Sequence, residues 1–365
     1  MNMQKPSVIE LFFTLIQCSL GKRKELPCAP SPEEWEKIFD IAQKQTLAGI
    51  TFAAVEKLPK EQLPPKKIIL QWYCIAENIK KKNIELDRKC ALVSEKFKNE
   101  GFRNCILKGQ GIARLYPNPL LRTSGDIDIW LEGGTEKIIG YVRKHFPKCT
   151  PTYHHVDFPA TAGHEIEIHY RPSWMYNAFT NKKLQTFFTE QSNAQFTNTV
   201  NTGENSFQVP TASFNRIYIL LHIYRHLFFE GIGLRQVLDY YYVMQQEMTD
   251  VEKVQYIKEI KQFGVEKFAG ATMYAMQQVF AFDTSTSPVK PNKRHGDFLI
   301  KEIMLAGNFG KHDRRYIQKN GLFAKLFNNA RRAFTLLLYY PKESIWAPYF
   351  KIWHYFWRKK RERTN

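Results

Sequence analysis

"LLRTSGDIDIWLEGG", residues 120–134, sets two aspartates one residue apart inside an apolar run. Aspartate is a poor strand former, so Asp126 and Asp128 need a reason to be there. In a strand, residues i and i+2 point the same way, about 6.6–6.8 Å apart at Cα. Asp126 and Asp128 then project from one face, while Ile127 and Ile129 enter a core from the other. Two like charges side by side call for a cation between them. Convergent carboxylates suit hard divalent ions such as Mg²⁺.

Working outward, "RNCILKG" (103–109) reads as a short buried strand stopped by glycine, and "QGIARLYP" (110–117) as a short helix ending near Pro117. "GDIDIWL" (125–131) alternates as a half-buried strand does. "GGTEKIIGYVRKHF" (133–146) reads as a turn and a helix with Thr135 as N-cap. "YHHVDFPATAGHEIEIHYRP" (153–172) reads as a hairpin around a small-residue turn. In its second strand Ile166 and Ile168 face the core, and Glu165, Glu167 and His169 face the other side. Two-metal phosphoryl chemistry places its ions about 3.5–4 Å apart and needs a third carboxylate. Glu167, flanked by isoleucines, is that acid, with Glu165 in reserve.

The flanks are helical. Ser31 and Pro32 open a helix as N-cap and first residue. Residues 66–101 form one long helix or two, closing at Gly101. After 211, four segments with apolar stripes follow, separated from the tail by the loop-like "DTSTSPVKPNKRHGD" (283–297). The expected organisation is a helical region 1–101, a sheet domain 102–210 and a helical region 211–365. The fold class is α+β: a small mixed sheet with helices, flanked by helical regions.

The 365 residues carry a formal charge of +18, which draws polyanions without saying which. Six cysteines stand at 18, 28, 74, 90, 105 and 149, none in C-x-x-C spacing, so they read as reduced thiols. No signal peptide and no run of roughly 18 apolar residues is visible, and the expected location is cytoplasmic. His222 and His226 share a helix face but lack the glutamate of a metalloprotease motif, so packing or hydrogen bonding is their first reading. Arg235 and Asp239 are spaced as a helix ion pair. The tail "FKIWHYFWRKKRERTN" reads as a packed terminal helix with a solvated end. Contact with RNA, another polyanion or a membrane surface is its alternative, and residues after 350 are expected to be dispensable for nucleotide binding.

"ILKGQGIARLYPNPLLRTSGDIDIWL" followed by "EIEIHYRP" resembles the uncharacterised nucleotidyltransferase family of bacteria. That family lies in the superfamily whose fold is shared by DNA polymerase β and the kanamycin nucleotidyltransferases. The likeness is strongest over 102–172. It extends more loosely through "HIYRHLFFEGIGLRQVLDYYYVM" (222–244), and the layout suggests members from Bacteroides-type bacteria. The resemblance implies a polymerase-β-like mixed sheet at 102–210 and NMP transfer from an NTP to a hydroxyl acceptor. Asp126, Asp128 and Glu167 would be the catalytic acids on two Mg²⁺ ions, with Mn²⁺ as a substitute. The glycine turn before the first helix falls on Lys108-Gly109-Gln110, where the superfamily's Gly-Ser pair is missing; Lys108 or Arg122 would supply the phosphate contact. The resemblance also turns the helix of Arg235 and Asp239 toward the cleft, where they would join Gly125 in the nucleotide site; His169, on the strand face of Glu167, reads either as orienting a phosphate or the acceptor or as a histidine bonded to a neighbouring helix end. The alternative is a non-catalytic nucleotide-binding or partner-docking module on the same fold.

Overall fold

The computed structural model describes residues 5–161, 164–203, 205–315 and 322–362. Four helices open the chain: α1 (Val8–Ser19), α2 (Pro32–Lys44), α3 (Ala48–Val55) and α4 (Lys66–Asn99). Ser31 caps α2 as expected: its hydroxyl accepts the Glu34 N–H at 3.3 Å, and the Glu34 carboxylate accepts the Ser31 N–H at 2.8 Å. Residues 66–99 are one helix of 34 residues. It stops where Gly101 takes φ +79° and the Phe102 N–H turns back to the Phe97 carbonyl at 2.9 Å.

The middle of the chain builds the sheet. Its elements are β1 (Asn104–Leu107), α5 (Gly109–Ala113), β2 (Ile127–Leu131), α6 (Gly134–His145), β3 (His155–Thr161) and β4 (His164–His169). The strand order is β1-β2-β4-β3, with β2 and β4 parallel and the outer pairings antiparallel. The tip of the expected hairpin, Ala162 and Gly163, lies outside the described residues. Helix α6 starts one residue before Thr135 and has no side-chain cap, because Gly133 at φ +129° and Gly134 at +75° make the turn themselves.

Helix α7 (Ala178–Gln195) and a hairpin of β5 (Thr199–Thr202) and β6 (Asn205–Gln208) lead into α8 (Ala212–Phe229), α9 (Leu234–Met244), α10 (Asp250–Gln262), α11 (Glu266–Phe280) and α12 (Lys293–Ala306). The loop expected at 283–297 ends early: Asn292 accepts the His295 N–H at 3.1 Å, and the helix starts at Lys293. Two helices close the chain, α13 (Leu322–Leu337) and α14 (Pro341–Glu362). Among the described residues no helix is long and apolar enough to cross a membrane.

The sheet divides its residues by parity. Ile106, Ile127, Ile129, Ile166 and Ile168 join Phe97, Ile138 and Val142 in a core against α4 and α6. On the opposite face Trp130 packs on Phe214 of α8, with ring centroids 5.8 Å apart, in the larger helical core. That same face carries Asp128, Glu167 and His169, and helices α8 and α9 form the far wall of the space over them.

Candidate active site

The register of β2 and β4 sets Asp128 directly opposite Glu167, and that of β4 and β3 sets Glu167 opposite Asp157 and His169 opposite His155. Parity turns all of these side chains away from the isoleucine core. Asp128 is 4% exposed, and Lys108 and His169 both reach it. Lys108 Nζ lies 2.9 Å from its Oδ1, and His169 Nε2 lies 2.8 Å from the same oxygen. His169 Nε2 also reaches Glu167 Oε2 at 3.2 Å, while its Nδ1 faces the Arg171 carbonyl at 3.3 Å. Both ring nitrogens therefore meet acceptors, as an imidazolium requires.

The electrostatics follow this geometry. Burial disfavours charge on His169, yet the hydrogen bonds to Asp128 and Glu167 outweigh it and hold its pKa above the ordinary value. Burial alone would raise Glu167; the His169 hydrogen bond and the nearby positive charges hold it well below the usual carboxylate range. Asp126 is pushed upward, first by burial and then by the charge of Asp128.

Lys108 has an unusual backbone. Its φ is +51° and ψ −141°, at the junction of β1 and α5. A non-glycine residue in that region is strained by an amount of the order of 1–3 kcal/mol. The conformation lets the chain turn sharply into α5 while the ammonium reaches Asp128. Gly109 follows at φ +41°. Gln110 points inward, its amide donating to Asp87 at 2.7 Å.

A cavity of about 660 Å³ opens over these groups. Of the residues expected from sequence, Lys108, Gly109, Arg122, Gly125, Asp126, Asp128, Glu167, Arg235 and Asp239 line it. His169 lies beneath its floor, 1% exposed. Glu165 is exposed on β4 and does not line it. Asp126 falls one residue before β2 rather than within it. The groups whose ligand atoms come within 4.8 Å of one another are Asp128, Glu167 and His169; His155, Asp157 and Glu167; and His154, His155 and His169. Asp126 belongs to none of them; it stands at the cavity edge.

Arg122 and Asp239 meet each other. Arg122 Nε and Nη2 donate to the two Asp239 oxygens at 2.7 and 2.8 Å, both side chains being buried, and the Tyr116 hydroxyl adds a third bond at 2.8 Å. The expected Arg235–Asp239 helix pair gives way to this longer-range one. Arg235 donates instead to the Thr123 carbonyl at 2.8 Å, which holds the segment leading to Asp126.

The cavity also has a wall of nitrogen bases that the sequence reading missed or set aside. Arg225 Nη1 sits 2.6 Å from His154 Nε2, and its Nη2 sits 3.1 Å from His226 Nε2. Burial depresses the pKa of His154, His222 and His226, the last to about 4; the Arg225 charge adds most to this at His154 and His226, and Lys108 at His222. His222 and His226, first read as packing residues, do pack, and they also line the cavity. The adjacent histidines of "YHHVDF" were the available signal for the β3 side. The closing helix contributes Lys351, His354 and Arg358. Arg122, Arg225, Arg235 and Arg358 line this space, and each keeps one buried guanidinium nitrogen (Arg122 Nη1, Arg225 Nε, Arg235 Nε and Arg358 Nε) without a partner among the described residues.

The site thus sets carboxylate oxygens on adjoining strands against a wall of guanidinium, ammonium and imidazole groups. The chain belongs to a family of uncharacterised nucleotidyltransferases, whose profile matches residues 31–281. That span takes in the whole sheet and helices α8 and α9, and so most of the cavity. Among curated proteins none matches the chain.

Proposed function

We propose that the protein is a Mg²⁺-dependent nucleotidyltransferase that moves NMP from an NTP to the hydroxyl of an acceptor. The observation that carries this reading is the in-register pairing of Asp128 with Glu167 across parallel strands, under a cavity lined elsewhere by Arg122, Arg225, Arg235 and Arg358. Asp128 and Glu167, with Asp126 at the rim, are oxygen donors of the kind Mg²⁺ or Mn²⁺ accepts. A divalent ion held there would supply Lewis-acid stabilisation of the phosphoryl oxygens.

The chain's own residues do the rest. Lys108, Arg225 and Arg235 neutralise the phosphate charge, and the buried setting strengthens each contact. The missing serine of the glycine turn is offset by Lys108, whose ammonium stands over the floor of the cavity. Glu167, held ionised by His169, positions the acceptor hydroxyl and receives its proton. The acceptor oxygen bonds to the α-phosphorus, the bond to the bridging oxygen breaks, and pyrophosphate leaves with the electron pair. His169 orients both acids from below.

One observation favours a second reading, nucleotide binding without turnover: Gln110 takes the place of the serine and points away from the cavity to Asp87. Calorimetric titration of the four NTPs, with and without Mg²⁺, on the wild type and on Asp128→Asn tests both. Mg²⁺-dependent binding lost in the variant, followed by pyrophosphate release with an acceptor panel, supports the enzyme. Mg²⁺-dependent binding with no pyrophosphate release under any acceptor supports the second reading. Absence of Mg²⁺-dependent binding of any NTP counts against both.

A further inference from the structure

The closing helix pair is apolar on two sides. The inner side of α14 packs on the body, where Phe350 stacks on Trp174 with centroids 4.2 Å apart. The outer side carries Ile345, Tyr349, Ile352, Trp353 and Phe356, which are 46–65% exposed. Their spacing of i, i+4, i+7, i+8 and i+11 puts them on one helical face. Helix α13 and the turn after it add Phe334 and Leu338, each 74% exposed. A monomer in water seldom shows so long an apolar strip without a use for it. Cations flank it: Lys342 at the start of α14, and Lys359 and Lys360 one turn beyond Phe356, all exposed. Residues 322–362 contain nine Lys or Arg and two Glu, one of which, Glu343, is buried.

We infer that this outer face seats α13 and α14 on an anionic lipid bilayer. The charge balance argues against a second copy of the chain, since pairing the strips would bring two strongly cationic helix pairs together. The aliphatic members argue against nucleic acid: Ile345, Ile352 and Leu338 gain nothing from base stacking and gain from hydrocarbon burial. Aromatic rings with flanking lysines are the composition that an in-plane interfacial helix requires. Tyr349 and Trp353 also line a second cavity of about 900 Å³ between α7 and α14.

The test uses the full-length protein without nucleotide, so that it stands apart from the nucleotidyl-transfer reading. Sedimentation is measured with vesicles of phosphatidylcholine alone and of equal parts phosphatidylcholine and phosphatidylglycerol. The variants are Ile352→Ser/Phe356→Ser and Lys359→Glu/Lys360→Glu, checked for folding by circular dichroism; all four side chains are exposed. The expected result is binding to the anionic vesicles, weakened at least tenfold by either double variant and further by salt, with far less binding to the neutral ones. Absence of binding to anionic vesicles overturns the inference. So does binding that the serine variant leaves unchanged, since charge alone would then explain it. A concentration-dependent dimer that the serine variant disperses, with no vesicle binding, assigns the face to a second copy instead, and preferential binding of single-stranded RNA assigns it to nucleic acid.

Discussion

His169 Nε2 lies 2.8 Å from Asp128 Oδ1, forty-one residues away in sequence, and its ring is held there by the parallel register of β2 and β4. The two aspartates of the motif are therefore unequal. Asp128 is ion-paired to Lys108 and bonded to His169, whereas Asp126 stands at the rim with its pKa pushed up. Asp126→Asn is expected to leave metal-free stability unchanged or slightly higher. Asp128→Asn is expected to lower it by about 1–3 kcal/mol, because buried donors lose their charged acceptor. Both should reduce pyrophosphate release at least a hundredfold. Thermal unfolding of the two metal-free variants checks the asymmetry, and equal stabilities would contradict it.

Lys108 combines a strained backbone with a charge paired to Asp128 in the cavity. Lys108→Gly relieves the positive φ, whereas Lys108→Ala keeps it, so the glycine variant should be the more stable of the two by about 1–2 kcal/mol. Both should raise the KM for NTP at least tenfold. Chemical denaturation beside steady-state kinetics separates the two effects; an alanine variant as stable as the glycine one would refute the strain.

Arg122 and Asp239 tie the segment before β2 to α9 through a buried, two-pronged ion pair. Removing one partner leaves the other charged and buried. Arg122→Ala or Asp239→Ala should each cost about 3–5 kcal/mol, while the double variant should cost much less than their sum. A double-mutant cycle by urea denaturation measures this coupling, and additive costs would show that the pair is not a unit.

Glu343 of α14 accepts the backbone N–H groups of Tyr176 and Asn177, yet burial raises its pKa to about 7. Between its unfolded value of about 4.3 and that figure, the folded chain binds more protons than the unfolded chain. Stability should therefore fall as pH rises through this window, by up to about 4 kcal/mol, and level off above it. Glu343→Gln should flatten that slope between pH 5 and 8 in calorimetric scans. An unchanged slope in the variant would place its origin elsewhere.

The terminal helix, expected from composition to be dispensable for nucleotide binding, puts Lys351, His354 and Arg358 on the cavity wall. Truncation after residue 350 is now expected to weaken Mg²⁺-NTP binding at least fivefold. Titration calorimetry on the truncated chain decides it; wild-type affinity would restore the earlier expectation.

The four strands of the larger sheet and the long helix were readable from local pattern, whereas the β5–β6 hairpin was not. Alternation of isoleucine with acid places Asp128 and Glu167 away from the core whatever their partners, because parity is a property of the strand itself. Ser31, Pro32 and Gly101 mark helix ends through bonds within a few residues, so they too are legible. Helix α7 was passed over because its inward positions include Asn181 and Gln195 beside Leu184, Phe187 and Phe188, which blurs the apolar stripe. Thr135 was misplaced as a cap because two adjacent glycines made the turn without it.

What the sequence could not carry was pairing at a distance. The pattern around Arg235 and Asp239 admits a local ion pair, but Arg122, 117 residues from Asp239, takes the carboxylate once α9 packs beside the segment before β2. Likewise no local signal brings Arg225 to His154 or α14 to the cavity wall. Side-chain parity and caps are set by neighbours in the chain; the partner of a buried charge is set by which helices cover the sheet, and that is decided only when the whole core closes.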